Sequence, residues 1–135
     1  MSERKDGRIL VVDDEPGMRD MLRLVLEKEG YRVRAAASAE AALEVLEGEA
    51  FEVVLCDIRM TGMDGLGFLA EVEKRGIETT IIMMSAYGSV DTAIDCMKKG
   101  AYDYVSKPFK PDEVILTLRK AEERLRLKSE NARLK

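Results

Sequence analysis

Five apolar runs of strand length alternate with five stretches whose apolar residues recur at helical spacing, and few folds accept that order. "RILVV" (8–12) precedes Met18, Met21, Leu22, Val25 and Leu26, spaced i, i+3, i+4, i+7, i+8. After Gly30, a helix terminator, "YRVRAAA" (31–37) precedes Ala39, Ala42, Leu43 and Leu46, with Ser38 placed to cap them. "FEVVLC" (51–56) precedes Gly65, Phe68, Leu69 and Val72. "TTIIMMS" (79–85) precedes Val90, Ala93, Ile94 and Met97, with Ser89 as cap and Gly100 as stop. "AYDYVS" (101–106) precedes a helix whose first turn suits Pro111.

Regular βα alternation predicts one parallel sheet with helices on both faces, and 135 residues suffice for one such domain. The third and fourth runs are continuously apolar, as central parallel strands are, whereas the fifth alternates with polar residues as an edge does. No apolar run approaches the roughly 18 residues of a membrane span, and "MSERKDGR" lacks a signal-peptide apolar segment, so the expected compartment is the cytoplasm. Cys56 and Cys96 lack metal-like spacing and read as small buried hydrophobes.

The last helix carries two stripes. Val114, Leu118, Ala121 and Leu125 suit packing on the sheet. Leu116, Leu127 and Leu134 fall near the opposite side and, with Asn131, resemble the start of a coiled-coil seam; a solvated terminal helix is the competing reading. Residues 119–135 hold seven Lys or Arg against three Glu, which leaves residues 1–118 eight negative. An acidic body of this kind is not a nucleic-acid-binding surface.

In an open α/β sheet the chemistry gathers beyond the carboxyl ends of the strands. Here those ends carry Asp13-Asp14-Glu15, Asp57, Ser85-Ala86 and Ser106-Lys107-Pro108. Taken singly, each has a plain explanation: a helix cap for Asp13 or Asp14, a turn-initiating residue for Asp57, a self-satisfied hydroxyl for Ser85, a solvated charge for Lys107. Their convergence on one sheet edge is what points to a site. Grouped carboxylates repel, so a counter-ion is expected, and an oxygen-only donor set suits Mg²⁺. Histidine is absent, which excludes histidine triads, His-ligated zinc and a phosphohistidine carrier. The first βα loop has no Gly-rich phosphate cradle, which argues against a flavin-binding domain; an aspartyl phosphatase would want Asp-x-Asp on the first strand.

"LVVDDE" (10–15), "CDIRMTGMDG" (56–65), "MSAYG" (84–88) and "YVSKPF" (104–109) together resemble the receiver domain of bacterial two-component response regulators, over about residues 7–125. The resemblance implies a flavodoxin-like (βα)5 fold with strand order 2-1-3-4-5. It also implies roles: Asp57 as phosphoacceptor, and Asp13, Asp14, Asp57 and the backbone carbonyl of Arg59 as Mg²⁺ ligands. Ser85 would be the switch hydroxyl, Lys107 the partner of the phosphoryl oxygens, Tyr104 the aromatic switch, and Lys107-Pro108 a cis peptide. Such a domain is a self-phosphorylating, slowly self-dephosphorylating phosphoacceptor rather than a turnover enzyme, and its donor is a sensor histidine kinase.

The combination with a long charged final helix looks like the enhancer-binding, sigma-54-dependent transcription activators of the nitrogen-regulation type. That likeness implies a receiver at 1–125, a helical linker starting at 126–135 and output domains not present in this sequence. It also implies a homodimer through the helix 4–strand 5–helix 5 face and the C-terminal helix, with DNA bound only by an output domain and no membrane partner. The alternatives are a stand-alone phosphorelay or interaction module, and a degenerate receiver that serves only as a scaffold. One position departs from the family's usual Met-Pro-x-Met-Asp-Gly: Thr61 replaces proline, and a looser loop is expected because proline fixes φ.

Overall fold

The computed structural model describes residues 7–85, 90–107 and 110–134, with the side chains of 90–92 and 129–134 outside the description. Its elements are β1 (Arg8–Val12), α1 (Pro16–Lys28), β2 (Arg32–Ala36), α2 (Ala39–Gly48), β3 (Val53–Asp57), α3 (Gly65–Lys74), β4 (Thr80–Ser85), α4 (Val90–Lys98), β5 (Asp103–Ser106) and α5 (Pro111–Leu134). All strand pairs are parallel, in the order β2-β1-β3-β4-β5. This is the expected doubly wound, flavodoxin-like sheet, with β2 and β5 as its edges.

Period-two alternation splits the core in two. Ile9, Val11, Val53, Leu55, Ile82, Met84 and Val105 point to one face, where α1 and α5 cover them with Leu22, Leu26, Val114, Leu118 and Ala121. Leu10, Val12, Val54, Cys56, Ile81 and Met83 point to the other, under Ala39, Ala42, Leu43, Leu46, Phe68, Leu69, Val72 and Cys96. Every residue of β3 is buried, which explains why that run reads as continuously apolar up to Asp57.

The predicted stripes on α2 and α3 are all buried, and Ser38 caps α2 by accepting from the Ala41 amide. Helix α4 differs. Ile94 and Met97, assigned to its inner stripe, are 45% and 46% exposed, while Cys96 turns inward and is fully buried. Set against an edge strand, α4 has less sheet beneath it and cannot cover the whole stripe. Gly100 follows it with φ 106°, a value that glycine adopts without steric cost. The caps proposed at Ser89 and the Lys107-Pro108 peptide lie outside the described residues. Helix α5 runs unbroken through residues 125 and 126; Leu116 and Leu127 are 57% and 49% exposed, and the Leu134 side chain is outside the description. Among the described residues no helix is long and apolar enough to cross a membrane.

Candidate functional site

The register brings the four sequence-selected strand ends together. Val12 pairs with Cys56, Asp57 with Met84, and Ser85 with Ser106, so Asp13, Asp57, Ser85 and Lys107 share one carboxyl edge. The Lys107 backbone N–H donates to the Ser85 carbonyl at 2.8 Å, which carries the ladder one residue past β5 and aims the lysine inward. Its Nζ lies 3.0 Å from Asp13 Oδ2 and 3.4 Å from Asp57 Oδ2. Asp13 is fully buried, and Asp57 and Ser85 are 7% and 2% exposed.

Asp13 and Asp14 are not side-chain caps of α1, whose N-cap is Glu15 and which has no side-chain cap bond. Asp13 Oδ1 instead accepts from the Glu15 amide at 3.0 Å, which holds the carboxylate at the edge, while Arg19 Nη1 donates to the Asp13 carbonyl at 2.8 Å. Asp57 Oδ1 accepts from the Arg59 amide at 3.4 Å, so the turn-forming role and the edge position coexist in one residue. Asp14, the exposed member, accepts from the Thr61 amide.

Burial pushes the Asp57 carboxyl above its usual range, and the neighbouring Asp13 adds to this; Lys107 and the Arg59 amide pull the other way without cancelling it. For Lys107, burial alone favours the neutral amine, but its bonds to Asp13 and the charges of Asp13 and Asp57 outweigh that and raise its pKa. The expected counter-ion to the carboxylates is thus in part a lysine.

Asp13, Asp14 and Asp57 each offer a carboxylate oxygen, and these lie within 4.8 Å of one another. Three hard oxygen donors fit a divalent cation of the Mg²⁺ type, with room for water and a phosphate oxygen in its shell. One lysine facing two carboxylates leaves the cluster negative, which a cation would relieve.

Several contributors escaped the sequence reading. Asp64 caps α3 by accepting from the Gly67 amide at 2.8 Å. Gly65 admits no side chain: a Cβ there would sit 2.7 Å from Ile58 Cα and 2.8 Å from the Asp57 carbonyl oxygen. Its amide donates to the Ile58 carbonyl at 2.7 Å, drawing α3 against the strand end that bears Asp57. Only the dipeptide Asp64-Gly65, a cap signal followed by the smallest residue, hinted at this close approach. The Tyr104 ring lies partly buried beside the α2–α3–α4 core, and its hydroxyl is buried without a partner among the described residues.

A family model described as "Response regulator receiver domain" matches residues 9–119. The transcriptional regulatory protein ZraR of Escherichia coli K12 is 42% identical over 113 residues, covering 84% of this chain and 26% of its own length. The crystal structure of NtrX from Brucella abortus superposes with a TM-score of 0.88 at 39% identity, over 95% of this chain and 29% of that one. The solution structure of the beryllofluoride-activated NtrC4 receiver domain dimer superposes with a TM-score of 0.82 at 35% identity, over 87% of this chain and 98% of that one. The chain spans about a quarter of the length of the curated relatives it matches, 27% for an NtrX-like regulator of Rickettsia bellii. The strand order, the acidic edge and these likenesses agree: the chain belongs to the response regulator receiver domain family.

Proposed function

We propose that Asp57 is a phosphoacceptor that takes a phosphoryl group from a phosphohistidine of a sensor kinase. A carboxylate oxygen forms the new bond to phosphorus in line with the departing imidazole nitrogen, which keeps its bonding pair, and the product is an acyl phosphate. Residues 1–135 contain no histidine, so the donor side chain lies outside them. The observation that carries the proposal is the Lys107 ammonium seated 3.0 Å from Asp13 and 3.4 Å from Asp57 at the carboxyl edge. Asp13, Asp14, Asp57 and the Arg59 carbonyl would hold Mg²⁺, which when bound supplies positive charge to the phosphoryl oxygens. Lys107 neutralises a further oxygen, and Ser85, on the neighbouring strand end, hydrogen-bonds a third.

The same reading makes Tyr104 the reporter. Once the Ser85 hydroxyl is drawn to the phosphoryl group, the ring moves into the space it leaves, and the α4–β5–α5 face changes its shape. Residues 1–125 act as the receiver; 126–135, beyond the buried Val114–Leu118–Ala121 stripe, begin a helical linker to an output domain of a sigma-54-dependent activator. The exposed Ile94, Met97, Leu116 and Leu127 support a homodimer on that face and helix, and the NtrC4 receiver dimer is a parallel for it.

Incubation with acetyl phosphate and Mg²⁺, followed by intact mass and size-exclusion together, tests the proposal. The expected result is an adduct of about 80 Da, one phosphoryl group, that is absent from Asp57→Asn and accompanied by a change in oligomeric state. An adduct that survives Asp57→Asn overturns the site, and an unchanged assembly overturns the coupling.

A further inference from the structure

Replacement of the family's usual proline by Thr61 removes a constraint on φ, but it also adds a backbone donor that proline lacks. That donor is used: the Thr61 amide points to Asp14 Oδ2 at 3.2 Å. Two residues later the Met63 amide donates to Glu40 Oε2 at 3.3 Å. Between them Gly62 sits at φ 83°, where a Cβ would come within 3.1 Å of the same Glu40 oxygen. The loop expected to be loose is therefore held at Thr61 and Met63 by carboxylates from the β1–α1 loop and from α2.

Asp14 is where this matters for chemistry. Asp13 and Asp57 are each held by Lys107 and by an amide of their own loop. Asp14 is exposed, and among the described residues the partner of its carboxylate is the Thr61 amide. A carboxylate has two oxygens and about four acceptor positions, so one N–H leaves most of them for a cation. The bond and the close grouping of the three carboxylates, with oxygens within 4.8 Å of one another, exist together in the same conformation. The amide therefore orients Asp14 without competing with the cluster.

We propose that the backbone N–H of Thr61 is a positioning group for Asp14: it holds the one exposed carboxylate of the trio in its metal-ready orientation and ties the β3–α3 loop to the cation. The proposal rests on the Mg²⁺ reading above and assigns the role to the backbone of Thr61. Removal of a group that holds a metal-ligating carboxylate typically weakens metal binding about 10–100-fold, and a single solvent-facing amide belongs at the low end.

The test is Mg²⁺ binding to the unphosphorylated protein by calorimetry, for wild type, Thr61→Ala, Thr61→Gly and Thr61→Pro. Ala and Gly keep the amide and are expected to stay within about two-fold of wild type, whereas Pro weakens Kd about 10-fold. Were loop stiffness the governing factor, the order would reverse, with Gly weaker and Pro tighter; that outcome, or a proline variant equal to wild type, overturns the proposal. Hydrogen exchange of the Thr61 amide in the metal-free protein needs no proline variant: it should quicken in Asp14→Ala, and an unchanged rate also overturns it. Asp13→Asn separates the two levels of inference. If Asp13→Asn leaves Mg²⁺ binding intact, the trio is not the cation site and both readings fall; if it abolishes binding while Thr61→Pro does not weaken it, only the role of Thr61 falls.

Discussion

Strands β3 and β5 reach the same carboxyl edge and serve it in different ways. Strand β3 is flanked on both sides, buried along its whole length, and backed by α3 so closely that Gly65 has no room for a methyl group. Strand β5 has one neighbour, a half-buried pattern, a Tyr104 hydroxyl without a partner among the described residues, and α4 beside it with Ile94 and Met97 half in solvent. The first arrangement fixes a carboxylate; the second leaves a ring and a helix face that small energies can redistribute. The proposed phosphoacceptor function would use both, a carboxylate that holds its geometry and a surface free to change shape. Local differences in packing within one sheet supply them.

The largest contrast should come from packing. Phe68→Ala under β3 should cost about 4 kcal/mol in urea unfolding, whereas Leu116→Ser on the exposed side of α5 should stay within about 0.5 kcal/mol. Similar losses at both positions would erase the distinction. Next is the lysine that joins the two strands. Lys107→Met leaves two facing carboxylates without their shared cation and should cost about 3 kcal/mol, much of it recovered on adding Mg²⁺ if the proposed site is correct. The raised Lys107 pKa implies that the wild-type contribution persists through neutral pH and fades only in alkali, as the amine deprotonates.

Gly65→Ala probes the stiff side directly. The new Cβ meets backbone at Ile58 and Asp57, so a loss of about 2 kcal/mol is expected, together with altered amide shifts at Asp57 in NMR spectra. Tyr104→Phe probes the soft side with the opposite sign. Deleting a buried hydroxyl that has no partner among the described residues should stabilise the fold by about 1 kcal/mol, and a loss of stability would mean that the hydroxyl has a partner.

The smallest effect is a pH signature at Asp57. Its pKa is raised in the folded state, so the charged form opposes folding; wild type loses stability as pH climbs from the ordinary aspartate value, about 3.9, through the folded pKa, and stays level above it. Asp57→Asn should therefore melt above wild type at pH 7 and converge with it near pH 3.5, about where both carboxyl forms are protonated. A lower melting temperature at neutral pH would mean that the Lys107 pairing outweighs desolvation.

Sequence alone determined the number and order of elements, because burial on one face imposes a period of two on strands and of 3.6 on helices. It also determined which residues meet at the site, because parallel βα alternation sends every strand's carboxyl end to the same edge. Only the tertiary structure decided the rest. The packing of α4 against an edge strand turned Cys96 inward in place of Ile94 and Met97. The approach of α3 to β3 made Gly65 a steric requirement. The fold also brought Asp14 to the Thr61 amide across 47 residues of sequence, so that a missing proline became an added hydrogen-bond donor. Periodicity records which face of an element is covered, not what covers it or how closely, and a backbone N–H carries no mark in the sequence until the fold places an acceptor before it.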